Sequence, residues 1–294
     1  MKKSDVYQTV TNNILAAMEN GIIPWKKPFK TSFSPIPINF STGKVYRGIN
    51  VFLLNLACLQ YGYPKNVWLT FRQAKQMGGY VKKGQSSETI LFWKSIAINE
   101  KNLSQVEESE SIKNVYIART YNVFNIDQCE GIDTDSEILS TARSMGSCEN
   151  VYARYPEIRP EVNLGLSSFY VPALDQIRIP GVGDFHSASD YYATLFHELV
   201  HSTGHVSRLN REGISEAKHS NKIRYSKEEL IAEMGASFLC AFTGIEKPDL
   251  TNNSAAYLQS WLQVFKQDNT MVVKAASQAQ RAVDFILGIQ FNES

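Results

Sequence analysis

Between Asp5 and Asn20 the apolar side chains fall at positions 6, 10, 14, 17 and 18. That spacing puts them on one face of an amphipathic helix, which Gly21 stops. An extended, Pro-rich stretch follows, Ile23-Pro24-Trp25-Lys26-Lys27-Pro28, with Pro35 and Pro37 beyond it. The pattern then predicts a helix over 48–60 and a shorter one over 70–77, closed by Gly78-Gly79. Tyr80-Val81 and 89–98 read as strands with Lys82-Lys83-Gly84 turning between them, and 115–124 reads as another. The polar, acidic run 100–111 is expected to be a loop. Residues 127–150 are rich in Asp, Glu, Ser and Gly and lack a long apolar period, so they read as a linker, with 137–145 open to a short helix.

From residue 151 the pattern changes. Strands are expected at 160–170 and 174–180, and helices at 189–203, 227–243, 254–266 and 270–288. Ser187 or Ser189 and Ser226 stand where N-caps belong, and Thr203-Gly204 and Gly244 stand where helices end. A chain of 294 residues can form two compact domains. Strands followed by helices point to an α+β fold. The expected architecture is α+β with two domains, 1–126 and 151–294, joined by the linker 127–150.

Composition adds little to this until charge is divided along the chain. Residues 1–99 carry 13 Lys and Arg against three acids, a net +10, and residues 100–294 carry 17 against 26, a net −9. A basic half joined to an acidic half suggests that the first meets a polyanion. The longest nearly apolar stretch, Val51–Leu59, is far too short to span a bilayer. No apolar signal core follows the charged N-terminus, which points to a cytoplasmic protein without a membrane partner. The cysteines at 58, 129, 148 and 240 match neither a zinc knuckle nor a disulfide framework, so free thiols are expected.

The candidate chemistry lies at His197-Glu-Leu-Val-His201. Positions four apart stack on one helix face, so His197 and His201 can hold one ion together. Glu198 then stands beside the ion as a general base toward a water that zinc acidifies to a pKa of about 7. Zinc is the default for such a site, though manganese or another divalent ion would also suit it. A catalytic zinc needs a third protein ligand and an open position. His205 lies about 12 Å from His197 along a straight helix and cannot share the ion. Glu229-Leu-Ile-Ala-Glu233 offers two acids on one face, with Ala232 small enough for close helix approach. Glu229 is the favoured ligand. If Glu229 instead closes a capping box with Ser226, Glu233 takes its place. His186, Tyr191, Tyr192 and Tyr225 are open candidates for oxyanion stabiliser.

Aromatic and basic residues alternate in the first half, as at Trp25-Lys26-Lys27, Tyr46-Arg47, Trp68 to Arg72, Tyr80 to Lys83, Trp93-Lys94 and Arg119 to Tyr121. Single-stranded nucleic acid is bound by such sets, bases stacking on rings while cations track phosphates. Core aromatics rimmed by surface bases would give the same pattern.

The runs Ile23-Pro24-Trp25, 39–50 (NFSTGKVYRGIN), 68–75 (WLTFRQAK) and 78–84 (GGYVKKG) resemble the N-terminal domain of ArdC-type plasmid antirestriction proteins. In the second half, 197–210 (HELVHSTGHVSRLN), 228–239 (EELIAEMGASFL), Ser260-Trp-Leu and 274–280 (KAASQAQ) are similar to the zincin-like metallopeptidase domain of the same family. The resemblance implies a single-stranded-DNA-binding first domain, a peptidase-fold second domain, and protection of incoming mobile-element DNA from host restriction. It puts the metal motif on His197, Glu198, His201 and the 229–233 glutamates. Trp25, Lys26, Arg47, Trp68, Arg72, Lys82 and Lys83 are the expected DNA contacts. The expected partners are single-stranded DNA and an unidentified protein substrate. Two other readings stand beside this one: a DNA-coating module whose metal is structural or vestigial, and a peptidase whose basic half selects acidic proteins.

Overall fold

The computed structural model describes residues 5–26, 34–99, 112–133, 147–156, 158–215, 222–245 and 254–290. Helix α1 (Val6–Glu19) starts where the Asp5 carboxylate accepts the Tyr7 N–H, and it buries Val10, Ile14, Leu15 and Met18. Helix α2 (Ile49–Tyr61) ends at Gly62 in the left-handed region, and α3 (Phe71–Gln76) is capped by Thr70 in a reciprocal box with Gln73.

Strands β1 (Ile38–Asn39), β2 (Val67–Leu69), β4 (Glu88–Asn99) and β5 (Ile112–Asn125) form one sheet in the order β1-β2-β5-β4, with β4 and β5 a long antiparallel pair. Strand β3 (Tyr80–Val81) does not turn back onto β4 as expected but pairs with β6 (Cys129–Glu130). The reason is local. A Cβ on Gly79 would lie 2.5 Å from the Glu130 carbonyl oxygen, so only glycine admits the crossing. The Lys82 N–H continues the ladder to the Gln128 carbonyl at 2.9 Å. The start of the expected linker therefore belongs to the N-terminal sheet structure, and its end is already α4 (Cys148–Arg154). The expected loop at 100–111 and the optional helix at 137–145 lie outside the described residues.

In the second half, β7 (Glu161–Leu164), β8 (Phe169–Val171) and β9 (Gln176–Ile179) form a sheet in the order β7-β9-β8. The single strand expected over 160–170 is split at Gly165, where a Cβ would meet the Arg178 Cβ at 2.9 Å. Helix α5 (Ala188–Ser202) is capped by Ser187, whose side chain accepts the Asp190 N–H. A short α6 (Glu212–Ser215), unanticipated, precedes α7 (Lys222–Thr243), α8 (Ser254–Gln267) and α9 (Met271–Ile286). Because α7 begins at Lys222, Ser226 is no cap; its hydroxyl meets that of Ser260 at 3.2 Å.

The two halves share their main core. Val10, Ile14, Trp25 and Phe52 lie in one buried cluster with Phe196, Phe238, Trp261 and Phe265. Trp25 meets Trp261 edge-on at 5.4 Å, and Phe52 stacks on Phe238 at 4.9 Å. Arg47 is ion-paired with Asp284, and the Gly48 N–H donates to the Gln280 side-chain oxygen at 3.0 Å. The first expected domain thus has small clusters of its own, around Trp68 and Leu69, but it also completes the core of the second. Among the described residues no helix is long and apolar enough to cross a membrane.

Candidate metal centre

Helices α5 and α7 build the centre. A Cβ on Gly235 would lie 2.7 Å from Val200 Cγ2, so α7 approaches α5 more closely there than any side chain would allow. With Ala232 also fully buried, this close crossing brings Glu229 against the histidine face of α5.

His197 and His201 turn their Nε2 atoms to within 3.0 Å of each other. Two neutral rings cannot bond through facing lone pairs, so this approach calls for a shared proton or a shared cation. The Glu229 carboxylate straddles the pair, with one oxygen 3.5 Å from His197 Nε2 and the other 3.5 Å from His201 Nε2. Ligand atoms about 2.0–2.1 Å from a tetrahedral ion stand about 3.3 Å apart, so the three groups fit a divalent cation. All three side chains are mostly buried, with exposures of 13%, 11% and 14%.

The electrostatics agree with that geometry. Burial alone would discourage charge on His201, yet hydrogen bonds to Glu228 and Glu229 and the nearby charge of Glu198 outweigh it and push its pKa up to about 10. Burial would also raise Glu229, but both histidines hold its carboxyl far below the usual range. The centre therefore carries concentrated negative charge that protons, or a cation in their place, must offset.

Each imidazole has a carboxylate at its other nitrogen. Glu228 Oε1 lies 3.3 Å from His201 Nδ1, and Glu233 Oε1 lies 3.8 Å from His197 Nδ1. Glu233 thus stands behind a ligand, and among the described residues the grouped ligand atoms come from His197, His201 and Glu229. With Ser226 inside α7, the capping box that competed for Glu229 does not form. Glu198 is buried on the same helix as the pair. His205 lies past the helix end, its Nδ1 2.7 Å from Ser207 Oγ.

Among the oxyanion candidates, Tyr192 is committed elsewhere, since its hydroxyl donates to Glu149 at 2.8 Å. Tyr191 packs edge-on against Phe185, and His186 is exposed. Sequence reasoning missed Glu228 and the arginine that holds it, Arg211. The one available signal was the acidic pair Glu228-Glu229, which puts two carboxylates on adjacent helix faces.

The expected DNA contacts divide. Trp25 and Trp68 are fully buried, so neither ring is free to stack on a base; this corrects the expectation for both. The Trp68 indole N–H donates to Asn66 at 2.7 Å inside the core. Arg47 is held by Asp284, and the Lys82 ammonium donates to the Asp127 carbonyl at 3.1 Å. Lys26 is half-buried, while Arg72 and Lys83 are exposed. Tyr61, Phe71 and Tyr80 face solvent elsewhere in the first half, and the β4–β5 pair exposes three rings together, Phe92, Trp93 and Tyr121. Phe92 and Tyr121 are 46% and 45% exposed and meet edge-on at 5.5 Å, with Arg119 directly across from Phe92.

A His-His-Glu centre on two closely crossed helices beside a small sheet defines a zincin-like metallopeptidase part, preceded by an α+β sheet structure that shares its core. Residues 4–124 match the N-terminal domain of anti-restriction factor ArdC, and 157–278 match a zincin-like metallopeptidase family. The antirestriction ArdC protein from the R388 plasmid, crystallised metal-free, is 37% identical over 96% of each chain with a TM-score of 0.76. Its Mn(II)-bound structure is 35% identical, covers 99% of this chain and 100% of that one, and has a TM-score of 0.77. The chain belongs to the ArdC antirestriction family. It is also 30% identical to the uncharacterized protein y4eC of Sinorhizobium fredii, over 96% of this chain and 92% of that protein. A DNA primase TraC of Escherichia coli is 31% identical over 98% of this chain, which spans 27% of the primase.

Proposed function

We propose that this protein guards transferred DNA against restriction by binding it as a single strand and hydrolysing proteins near it at a divalent-metal centre in the cytoplasm. The observation that carries the reading is the convergence of His197 Nε2, His201 Nε2 and the Glu229 carboxylate, each pair 3.0–3.5 Å apart, with Glu198 on the same helix as the histidines. His197, His201 and Glu229 would hold the cation. When bound, the cation polarises a peptide carbonyl and makes water a stronger nucleophile at neutral pH. The Glu198 carboxylate takes the proton of the attacking water and returns it to the leaving amine. Glu228 holds the ring of His201 through Nδ1, and Glu233 stands 3.8 Å behind His197 Nδ1. Zinc is the ordinary ion for this donor set, and the Mn(II)-bound relative makes manganese the alternative.

Support for DNA binding comes from the family of the first half, its net positive charge, and the exposed Phe92, Tyr121 and Arg119 on the β4–β5 pair. The competing reading is a DNA-coating module whose metal is structural or vestigial, and the relatives speak only against its structural form. A structural metal holds its fold together, yet the metal-free and Mn(II)-bound relatives match this chain equally, at TM-scores of 0.76 and 0.77.

Digestion of denatured casein in zinc or manganese, with oligonucleotide binding measured in parallel, tests the proposal. Glu198→Gln should abolish cleavage and leave affinity for a single-stranded oligonucleotide unchanged. Undiminished cleavage by that variant would remove Glu198 from its role, and absence of cleavage by the wild type would favour the DNA-coating module.

A further inference from the structure

We propose that Arg211 and Glu228 form a clamp that fixes the ring of His201 and thereby sets the cation affinity of the centre. The inference rests on the metal-site reading and goes beyond its ligands.

After α5 the chain folds straight back on itself. The Leu209 N–H donates to the Thr203 carbonyl at 2.9 Å, Asn210 takes a left-handed conformation, and the Arg211 N–H returns to the Gly204 carbonyl at 2.9 Å. Gly204 is required for this return. A Cβ there would lie 2.3 Å from Ile214 Cγ1 and 3.0 Å from Arg211 Nη2.

The return places the Arg211 guanidinium at the C-terminal end of α5, where helix carbonyls lack partners. Nη2 donates to the Val200 carbonyl at 2.8 Å, and Nη1 donates to Thr203 Oγ1 at 2.7 Å. Across the helix crossing, Nε donates to Glu228 Oε2 at 3.0 Å and Nη2 to Glu228 Oε1 at 2.6 Å. This fork pins α7, which carries Glu229, to α5, which carries both histidines.

Glu228 does more than neutralise the arginine. Its Oε1, already bonded to Arg211, is also the atom 3.3 Å from His201 Nδ1. A carboxylate that accepts the Arg211 fork can accept the Nδ1–H of His201 as well, so a cation that takes the place of the Nε2 proton would find that nitrogen's lone pair turned toward it. Glutamine at 228 cannot copy this. One of its two terminal atoms would be an NH2, and in either orientation it would face an N–H of Arg211, which also donates.

Mn2+ titration of the purified full chain by calorimetry, with thermal unfolding of each metal-free form alongside, tests the clamp. Glu228→Gln should bind Mn2+ about 10- to 100-fold more weakly while still folded. Arg211→Lys, which keeps the charge but loses the fork, should shift affinity in the same direction and carries the test if Glu228→Gln does not fold. Wild-type affinity in folded variants, even destabilised ones, would reduce the clamp to a structural brace and overturn the proposal. A wild-type chain that binds no Mn2+ would overturn the metal centre itself, a distinguishable failure.

Discussion

Gly235 determines how closely the two ligand-bearing helices approach. A methyl group there would meet Val200 Cγ2 at 2.7 Å and Cγ1 at 2.9 Å in a part of the core where Val200 is fully buried. Gly235→Ala should therefore push α7 from α5, costing about 1–3 kcal/mol of stability. It should also weaken Mn2+ binding by spreading Glu229 from the histidines; thermal denaturation and metal titration check both effects. At this scale the sequence was legible where chemistry follows from spacing along one helix, as with His197, Glu198 and His201. It favoured Glu229 but kept Glu233 as the alternative, because both lie on one face and only the crossing point of the helices separates ligand from support. Trp25 and Trp68 misled for a related reason. A tryptophan beside a lysine or near an arginine reads the same whether its ring faces a base or, as here, the core.

Among the elements, the β4–β5 pair presents an exposed aromatic surface. Ile90 and Val123 are buried at one end of a shared face, and two residues further along each strand Phe92 and Tyr121 emerge into solvent beside Arg119. Alternation puts residues two apart on one face, so the face runs unbroken from core to surface. If bases stack there, replacing both Phe92 and Tyr121 by Ala should weaken single-strand binding by about 1–3 kcal/mol per stacked base without unfolding the chain. Fluorescence anisotropy over a salt series measures this; unchanged affinity would move the DNA surface elsewhere. The existence of the main helices was readable from apolar period and terminal glycines. The start of α7 was not, since Ser226 imitates a cap from inside the helix, and neither was the β3–β6 pairing, which depends on a distant partner admitted by Gly79.

For the molecule as a whole, the sequence divides more readily than the fold. Charge and composition change sharply between the halves, yet Trp25 and Phe52 pack against Trp261, Phe265 and Phe238, and Arg47 pairs with Asp284. Local patterning cannot reveal a core shared across more than two hundred residues of sequence, so two separate domains were the natural expectation. Residues 151–294 expressed alone should lack cooperative unfolding, because α1, Trp25 and α2 are missing from their core. A sharp thermal transition from that fragment would show that its own helices suffice.

The shared core also joins the proposed DNA-binding surface to the proposed hydrolytic centre, so that DNA and the proteins on it would meet one folded unit. The most direct test of that account is protection of transferred plasmid DNA in a restricting host, comparing the wild type with Glu198→Gln at matched expression. Loss of protection in Glu198→Gln, with single-strand binding intact, is the expected result. Full protection by the variant would contradict the account and leave DNA binding alone as the source of the effect.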